Sequence, residues 1–156
     1  QIHTDTEVSS KTHKFYLEKD EKYKVKADVT LLQQAIRALL ENAMKYSENN
    51  TNIYIKSSII DGKNGAVSIR DEGVGISKED TRRIFDRFYR VDDSRTKTTG
   101  GTGLGLAIVK RIVEIHKGEI RINSELGKGT EISIVLPLIV QKPERKVQRI
   151  GNNKKK

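Results

Sequence analysis

Apolar residues in this chain recur with helical spacing in two segments. The first follows Asp28 and runs to about Lys45, with one apolar face made of Leu31, Leu32, Ala35, Ile36, Leu39, Leu40 and Ala43. The second lies within residues 103–117 and is made of Leu106, Ala107, Ile108, Val109, Ile112, Val113 and Ile115. These patterns predict two amphipathic helices. Asp28 is a favourable N-cap for the first, and Gly118 is a favourable C′ residue for the second.

Alternation of apolar and polar residues predicts strands on either side of these helices. Two hairpins are indicated, one around residues 61–65 and one around residues 127–129, and shorter β-like pieces lie at residues 13–17 and 23–26. Ser77 is positioned to cap a short helix through Ile84. The resulting order is β-β-α-β-β-α, a long lid-like segment, then α-β-β. It predicts an α+β fold, a two-layer α/β sandwich in which a mixed, mostly antiparallel sheet carries three helices on one face.

Charge and composition divide the chain into one domain with two polar ends. Residues 1–12 are expected to form a linker or frayed end, residues 13–140 the domain, and residues 141–156 a basic tail. Seven of the eight charged residues in this tail are basic, so it supplies most of the net charge of +9. A solvated tail is therefore expected rather than a nucleic-acid-binding surface, although contact of the tail with nucleic acid or anionic lipid remains an alternative.

Several features narrow the class of protein further. The chain has no cysteine, which excludes disulfides and thiolate metal sites. No apolar run approaches the roughly 18 residues that a membrane-spanning helix needs. The first residue is Gln1 rather than Met, so a fragment or a processed product is expected.

The glycine-rich segment at residues 100–105 directly precedes the second amphipathic helix. Glycines at a helix start leave backbone N–H groups available, and the helix dipole there favours a phosphate. The spacing G-x-G-x-G differs from the dinucleotide-binding and P-loop patterns. From the residues alone, a phosphate site and a structural turn both remain open.

Three other segments combine polar residues with unusual positions. Asn42 lies beside the apolar face of the first helix, where its amide could be a buried hydrogen-bonding group or an oxygen ligand for Mg²⁺. Asp71 ends a strand and is followed by Gly73 and Gly75, which fits a plain turn or a carboxylate that accepts from the amino group of a planar base. Residues 85–90 fit an amphipathic loop anchor or part of a site.

In this order, the four segments resemble the N, G1, F and G2 boxes of the catalytic ATP-binding domain (HATPase_c) of bacterial sensor histidine kinases. These kinases belong to the GHKL (Bergerat) superfamily. The boxes correspond to residues 39–47, 71–76, 84–90 and 101–106, and residues 125–130 resemble the G3 segment. The resemblance covers residues 13–138 and implies the Bergerat fold with an ATP lid at residues 86–102.

The resemblance implies ATP and Mg²⁺ as cofactors and assigns a role to each site residue. Asn42 would coordinate Mg²⁺, while Lys45 and Arg90 would contact phosphates, and these three are the catalytic candidates. Asp71 would hydrogen-bond the adenine amino group. The remaining nucleotide-binding candidates enclose the nucleoside, shape the adenine pocket or cap the triphosphate: Tyr46, Gly73, Gly75, Ile76, Tyr89, Gly101, Thr102, Gly103, Leu104, Gly105 and Thr130.

Two departures from the family pattern bear on the reaction. Ala38 stands where sensor kinases usually carry Asn and where gyrase-type ATPases carry the Glu that activates water. His3, His13 and His116 lack the context of a phospho-accepting histidine and are expected to be structural, with His116 as a cation at a helix end. The fragment is therefore expected to bind ATP without phosphorylating itself.

The implied function is an ATP-dependent protein-histidine kinase of a two-component system. Its partners would be its own dimerisation domain with the acceptor histidine, absent here, and a response regulator. The domain would be cytoplasmic within a membrane-anchored sensor, and the isolated fragment a monomer. A GHKL ATPase, an anti-sigma-type serine kinase and a non-enzymatic module acting through residues 142–156 are the alternatives.

Overall fold

The computed structural model describes residues 12–89 and 104–139. The described chain forms five strands and three helices. In chain order these are β1 (Lys14–Asp20), α1 (Val29–Lys45), β2 (Asn52–Ile60), β3 (Asn64–Asp71), α2 (Lys78–Thr81), α3 (Gly105–Ile115), β4 (Glu119–Glu125) and β5 (Gly129–Pro137).

The five strands form one sheet in the order β1-β2-β3-β5-β4. Strand β1 pairs with β2 in parallel, and the three other pairings are antiparallel. The prediction of a mixed, mostly antiparallel sheet is confirmed. The β-like piece predicted at residues 23–26 is not a strand, because it contributes only an isolated bridge between Val25 and Leu138.

The core lies between the sheet and helices α1 and α3, as the helical spacing predicted. Burying each large side chain there stabilises the fold by roughly 1.5–3 kcal/mol. The most completely buried of these side chains are Leu39 of α1, Val109 of α3, Ile53 of β2 and Ile134 of β5. All helices in the described part of the chain are too short or too polar to cross a membrane.

The ends of the two long helices show one confirmed prediction and one error. The Asp28 carboxylate accepts a hydrogen bond from the Leu31 N–H at 3.0 Å, as expected for an N-cap. At the end of α3, the left-handed C′ residue is Lys117, with φ of +57°, and not Gly118. Gly118 is required for space instead, because a Cβ there would lie 2.5 Å from the backbone carbonyl oxygen of Val135.

His116 joins the end of α3 to the start of α1. Its Nε2 accepts a hydrogen bond from the Asp28 N–H at 2.9 Å, and its Nδ1 lies 2.7 Å from the Ile112 carbonyl oxygen. Because Nε2 accepts, the proton must be on Nδ1 and the ring is neutral. The residue is structural, as predicted, but it is not the cation that we expected at a helix end.

Candidate functional site

A cavity of about 140 Å³ opens where α1 ends, beside the loop that follows β3. Helix α2, the first turn of α3 and the β4–β5 turn complete its walls. Seven of the predicted site residues meet here: Asn42, Tyr46, Asp71, Gly75, Ile76, Tyr89 and Thr130. Six further residues line it, of which four lie within the predicted boxes without an assigned role and two, Ser77 and Asp80, were missed: Val74, Ser77, Asp80, Ile84, Leu106 and Leu126.

Asp71 places a buried carboxylate at the end of β3, with only 5% of the residue exposed. Its Oδ1 accepts a hydrogen bond from the Gly73 N–H at 2.8 Å. Burial raises the pKa of Asp71 from its ordinary 3.8 to about 6, although the backbone N–H groups of Gly73 and Thr130 oppose the rise. Ionised near neutral pH, this carboxylate can accept a hydrogen bond from a ligand in a site otherwise walled mainly by apolar atoms.

The two glycines after Asp71 let three segments of backbone pack closely. A Cβ on Gly73 would collide with the carbonyl oxygen of Tyr46, at the end of α1. Gly75 has φ of +75°, and a Cβ there would collide with the carbonyl oxygen of Glu125. The two glycines are therefore needed so that this loop can pack against the end of α1 and against the β4–β5 hairpin.

Ser124 ties the loop after β3 to the β4–β5 hairpin, and sequence reasoning missed it. Its Oγ accepts a hydrogen bond from the Ile76 N–H at 2.7 Å and lies 2.8 Å from the Thr130 Oγ1. Ser124 is the direct cross-strand partner of Thr130 in the β4–β5 register. That register, which follows from the hairpin turn, is the signal that could have identified it.

Asn42 projects into the cavity from the last turns of α1. Its side chain lines the cavity, and its carboxamide has no hydrogen-bond partner among residues 12–89 and 104–139. One turn earlier, Ala38 packs against the hydrophobic core. Lys45 is exposed and lies outside the lining set, although it ends the same helix three positions after Asn42.

Helix α2 and Tyr89 form another part of the cavity wall. The Ser77 hydroxyl donates to Asp80 Oδ2 at 2.9 Å and accepts from the Asp80 N–H at 3.1 Å, which is a reciprocal cap. The Tyr89 hydroxyl donates to Asp80 Oδ1, and this bond is the main cause that raises the pKa of Tyr89. The Ser77-x-x-Asp80 spacing was readable as a capping box, but its link to Tyr89 was not.

The two aromatic side chains before Tyr89 have different environments. Phe85 packs against the core, whereas Phe88 is 65% exposed. Leu104 is half-buried and Gly105 exposed at the start of α3, and the cavity is lined by Leu106 rather than by either of them. Arg90, Gly101, Thr102 and Gly103, with most of the predicted lid, lie outside the described residues.

A metal ion would find few protein ligands in the described part of the chain. Residues 12–89 and 104–139 contain no group of three or more His, Asp or Glu side chains placed to hold a metal. Mg²⁺ commonly takes one or two protein oxygens and completes its shell with water and substrate phosphates. The Asn42 amide oxygen therefore suits a metal that arrives with a phosphorylated ligand.

Residues 27–140 match the family model described as histidine kinase-, DNA gyrase B-, and HSP90-like ATPase. The sensor-like histidine kinase SenX3 of Mycolicibacterium smegmatis is 45% identical over 115 residues, covering 74% of this chain and 30% of the relative. The sensor histidine kinase WalK of Bacillus subtilis is 42% identical over 114 residues, covering 72% of this chain and 19% of the relative. The chain thus spans less than a third of these relatives.

Solved structures give the same picture of the fold. The mycobacterial sensor histidine kinase MprB superposes with a TM-score of 0.70 at 32% identity, covering 81% of this chain and 82% of that one. Full-length ShkA in complex with AMPPNP superposes with a TM-score of 0.69 at 29% identity, covering 81% of this chain and 26% of that one. The predicted α+β sandwich is therefore confirmed by similarity as well as by topology.

Proposed function

Because this chain belongs to the family of histidine kinase-, DNA gyrase B- and HSP90-like ATPases, we propose that it is a histidine kinase catalytic domain. It binds Mg²⁺-ATP and transfers the γ-phosphate to a histidine on a dimerisation domain of the same sensor protein. A response regulator then receives the phosphate. The observation that carries this proposal is the buried Asp71 carboxylate, which shares one cavity with the amide of Asn42.

The adenine lies at the Asp71 end of the cavity. The ionised carboxylate accepts a hydrogen bond from the amino group at C6 of adenine. Guanine has a carbonyl oxygen at C6 and cannot donate there. Gly75, Val74, Ile76 and Leu126 line the cavity around the ring, and Gly73 shapes the pocket from behind by its packing against the end of α1. A site with a buried acceptor discriminates strongly against ligands that lack the matching donor, because the acceptor of the protein is then left unpaired.

The phosphates lie at the Asn42 end, where the residue types suit a metal-bound triphosphate. Asn42 would hold Mg²⁺ through its amide oxygen, and the ion would supply positive charge to neutralise the phosphoryl group during transfer. Lys45, at the end of the same helix, would approach the phosphates as a cation. The phosphate-contacting roles proposed for Arg90 and for residues 101–105 follow from the family resemblance, and of these residues only Leu104 and Gly105, at the start of α3, are described. Tyr46 and Tyr89 enclose the nucleoside between these two ends.

The transfer needs positioning more than covalent chemistry by this domain. A ring nitrogen of the acceptor histidine attacks the γ-phosphorus, the bond from that phosphorus to the β–γ bridging oxygen breaks, and ADP leaves. The domain's residues hold the γ-phosphate in line and stabilise its charge. The acceptor histidine is proposed to come from the dimerisation domain, and the structural hydrogen bonds of His13 and His116 argue against either of them in that role.

Ala38 favours this proposal over a hydrolytic ATPase. Its methyl group packs against the core one helical turn before Asn42, so that position offers no carboxylate to activate water. From the similarity to sensor histidine kinases, the domain is also proposed to lie in the cytoplasm as part of a membrane-anchored sensor.

The proposal is tested by incubating the full sensor protein with γ-labelled ATP. A histidine kinase gives a label on the protein that acid removes and base does not, whereas a serine kinase gives an acid-stable label. Rapid release of free phosphate without labelled protein would identify an ATPase. The Asn42→Ala variant is the control, and it should give neither label nor phosphate.

A further inference from the structure

Ser124 stands behind the cavity wall, and its hydroxyl joins three groups. It accepts from the Ile76 N–H at 2.7 Å, lies 3.0 Å from the Gly129 carbonyl oxygen, and lies 2.8 Å from the Thr130 Oγ1. We propose that Ser124 is a positioning residue that orients the Thr130 hydroxyl so that the cavity selects a ligand amino group. This inference rests on the proposed function and concerns the same nucleotide site.

The hydrogen-bonding capacity of a hydroxyl determines the direction of these bonds. A serine hydroxyl has one proton to donate and two lone pairs that accept. Ser124 donates its proton to the Gly129 carbonyl oxygen, which can only accept. The Ile76 N–H donates to one Ser124 lone pair. All three contacts are hydrogen bonds at once only when the Thr130 hydroxyl donates to the other lone pair, and we adopt this direction. Every capacity of the Ser124 hydroxyl is used in this arrangement.

The consequence for Thr130 is that its proton points away from the ligand. Thr130 lines the cavity and is 5% exposed, so its hydroxyl is also shielded from bulk water. With its proton held by Ser124, its oxygen offers the ligand only lone pairs. Thr130 is also the cross-strand partner of Asp71 in the β3–β5 register, which places this second acceptor beside the carboxylate.

Two acceptors side by side favour a ligand that donates at this position. The amino group at C6 of adenine carries two N–H donors, whereas a purine with hydrogen at C6 carries none. Removal of the Ser124 hydroxyl frees the Thr130 proton. The Thr130 hydroxyl can then act as a donor at the position where the ligand amino group donates. The effect of Ser124 on binding should therefore depend on whether the ligand carries that group.

The test measures two ligands against the wild-type chain and its variants by calorimetric titration with Mg²⁺. The ligands are ATP and purine riboside triphosphate, which differ only in the amino group at C6. Ser124→Ala should weaken ATP binding about 5-fold, the equivalent of one net hydrogen bond, and purine riboside triphosphate binding less than about 2-fold. Ser124→Thr keeps the hydroxyl and should restore the wild-type difference between the ligands.

Ser133→Ala is the matched control, because Ser133 lies on the same strand as Thr130 but pairs with Ser68 at 2.7 Å. It should leave both affinities unchanged. Equal weakening of both ligands by Ser124→Ala would reduce Ser124 to a general structural role and overturn the inference, as would no change with either. If wild type binds neither ligand, the proposed function itself fails; if it binds both and only the ligand dependence is missing, this inference alone fails.

Discussion

Gly75 and Glu125 approach each other so closely that a Cβ on Gly75 would collide with the Glu125 carbonyl oxygen. This approach brings the loop after β3 against the β4–β5 hairpin. The Gly127 N–H, which donates to the Val74 carbonyl at 2.8 Å, holds the two segments together. The contact between the loop after β3 and the β4–β5 hairpin therefore forms the Asp71 end of the cavity.

Gly75→Ala should therefore damage the site more than its backbone conformation alone would explain. Gly62 is the matched control, because it has a similar φ of +68° but a Cβ added there would meet no atom within 4 Å. Gly62→Ala should cost about 1–2 kcal/mol of unfolding free energy for the left-handed conformation. Gly75→Ala should cost roughly 1–3 kcal/mol more because the hairpin must move. Urea unfolding measures both, and equal losses would contradict the close approach.

Asp71→Asn should stabilise the unliganded domain near neutral pH. The folded pKa of about 6 exceeds the ordinary 3.8, so the folded state holds the proton more tightly than the unfolded state. The contribution of Asp71 to stability is therefore fully present below about pH 4 and is lost as pH rises through 6. The shift corresponds to roughly 3 kcal/mol at pH 7.5.

The comparison needs unfolding curves of wild type and Asp71→Asn at several pH values between 4 and 7.5. The variant's advantage in unfolding free energy should grow across this range and level off above pH 7. An advantage independent of pH would mean that Asp71 is not held near a pKa of 6. The variant should meanwhile lose nucleotide affinity, so stability and binding should change in opposite directions.

Asn42→Ala should remove the Mg²⁺-dependent part of nucleotide affinity. The amide lines the cavity and has no hydrogen-bond partner in the described part of the chain, so its loss should leave the fold intact. Gln34→Ala, at an exposed position of the same helix, is the control. For Asn42→Ala, titration with nucleotide should give the same affinity with Mg²⁺ as without it. For Gln34→Ala, the affinity with Mg²⁺ should differ from the affinity without it. A preserved Mg²⁺ effect in Asn42→Ala would place the metal elsewhere.

Ser47→Ala should reduce stability without changing nucleotide binding. The buried Ser47 hydroxyl donates to the Ala43 carbonyl at 2.6 Å, so it accepts from the His13 Nε2–H at 2.9 Å. The substitution leaves a buried imidazole N–H without that acceptor, which costs about 1–3 kcal/mol. Chemical denaturation measures the loss. A fall in ATP affinity with unchanged stability would contradict the structural role given to His13.

Helices and hairpins were predictable because their signals are local. The apolar faces of α1 and α3 and the alternation in β2 to β5 each follow from spacing within one segment. The ends of elements were less predictable. Lys117 takes the left-handed position, and the need for glycine at position 118 comes from the Val135 carbonyl oxygen on strand β5.

The same distinction applies to the site. Asp71 and its glycines could be identified as a motif, whereas Ser124 and Asp80 acquire their roles from hydrogen bonds across separate elements. The Tyr89–Asp80 bond joins residues nine positions apart, and the Ile76–Ser124 bond joins residues 48 positions apart. Sequence spacing carries no signal for such pairs until the fold brings them together.

The most direct test of this account is calorimetric titration of the chain with a non-hydrolysable ATP analogue in the presence of Mg²⁺, for wild type and Asp71→Asn. We expect wild type to bind in the micromolar to submillimolar range, about −8 to −5 kcal/mol, and the folded Asp71→Asn variant to bind at least about 10-fold more weakly. Equal affinities for the two folded proteins, or no binding by wild type, would contradict the assignment of this cavity to an adenine nucleotide.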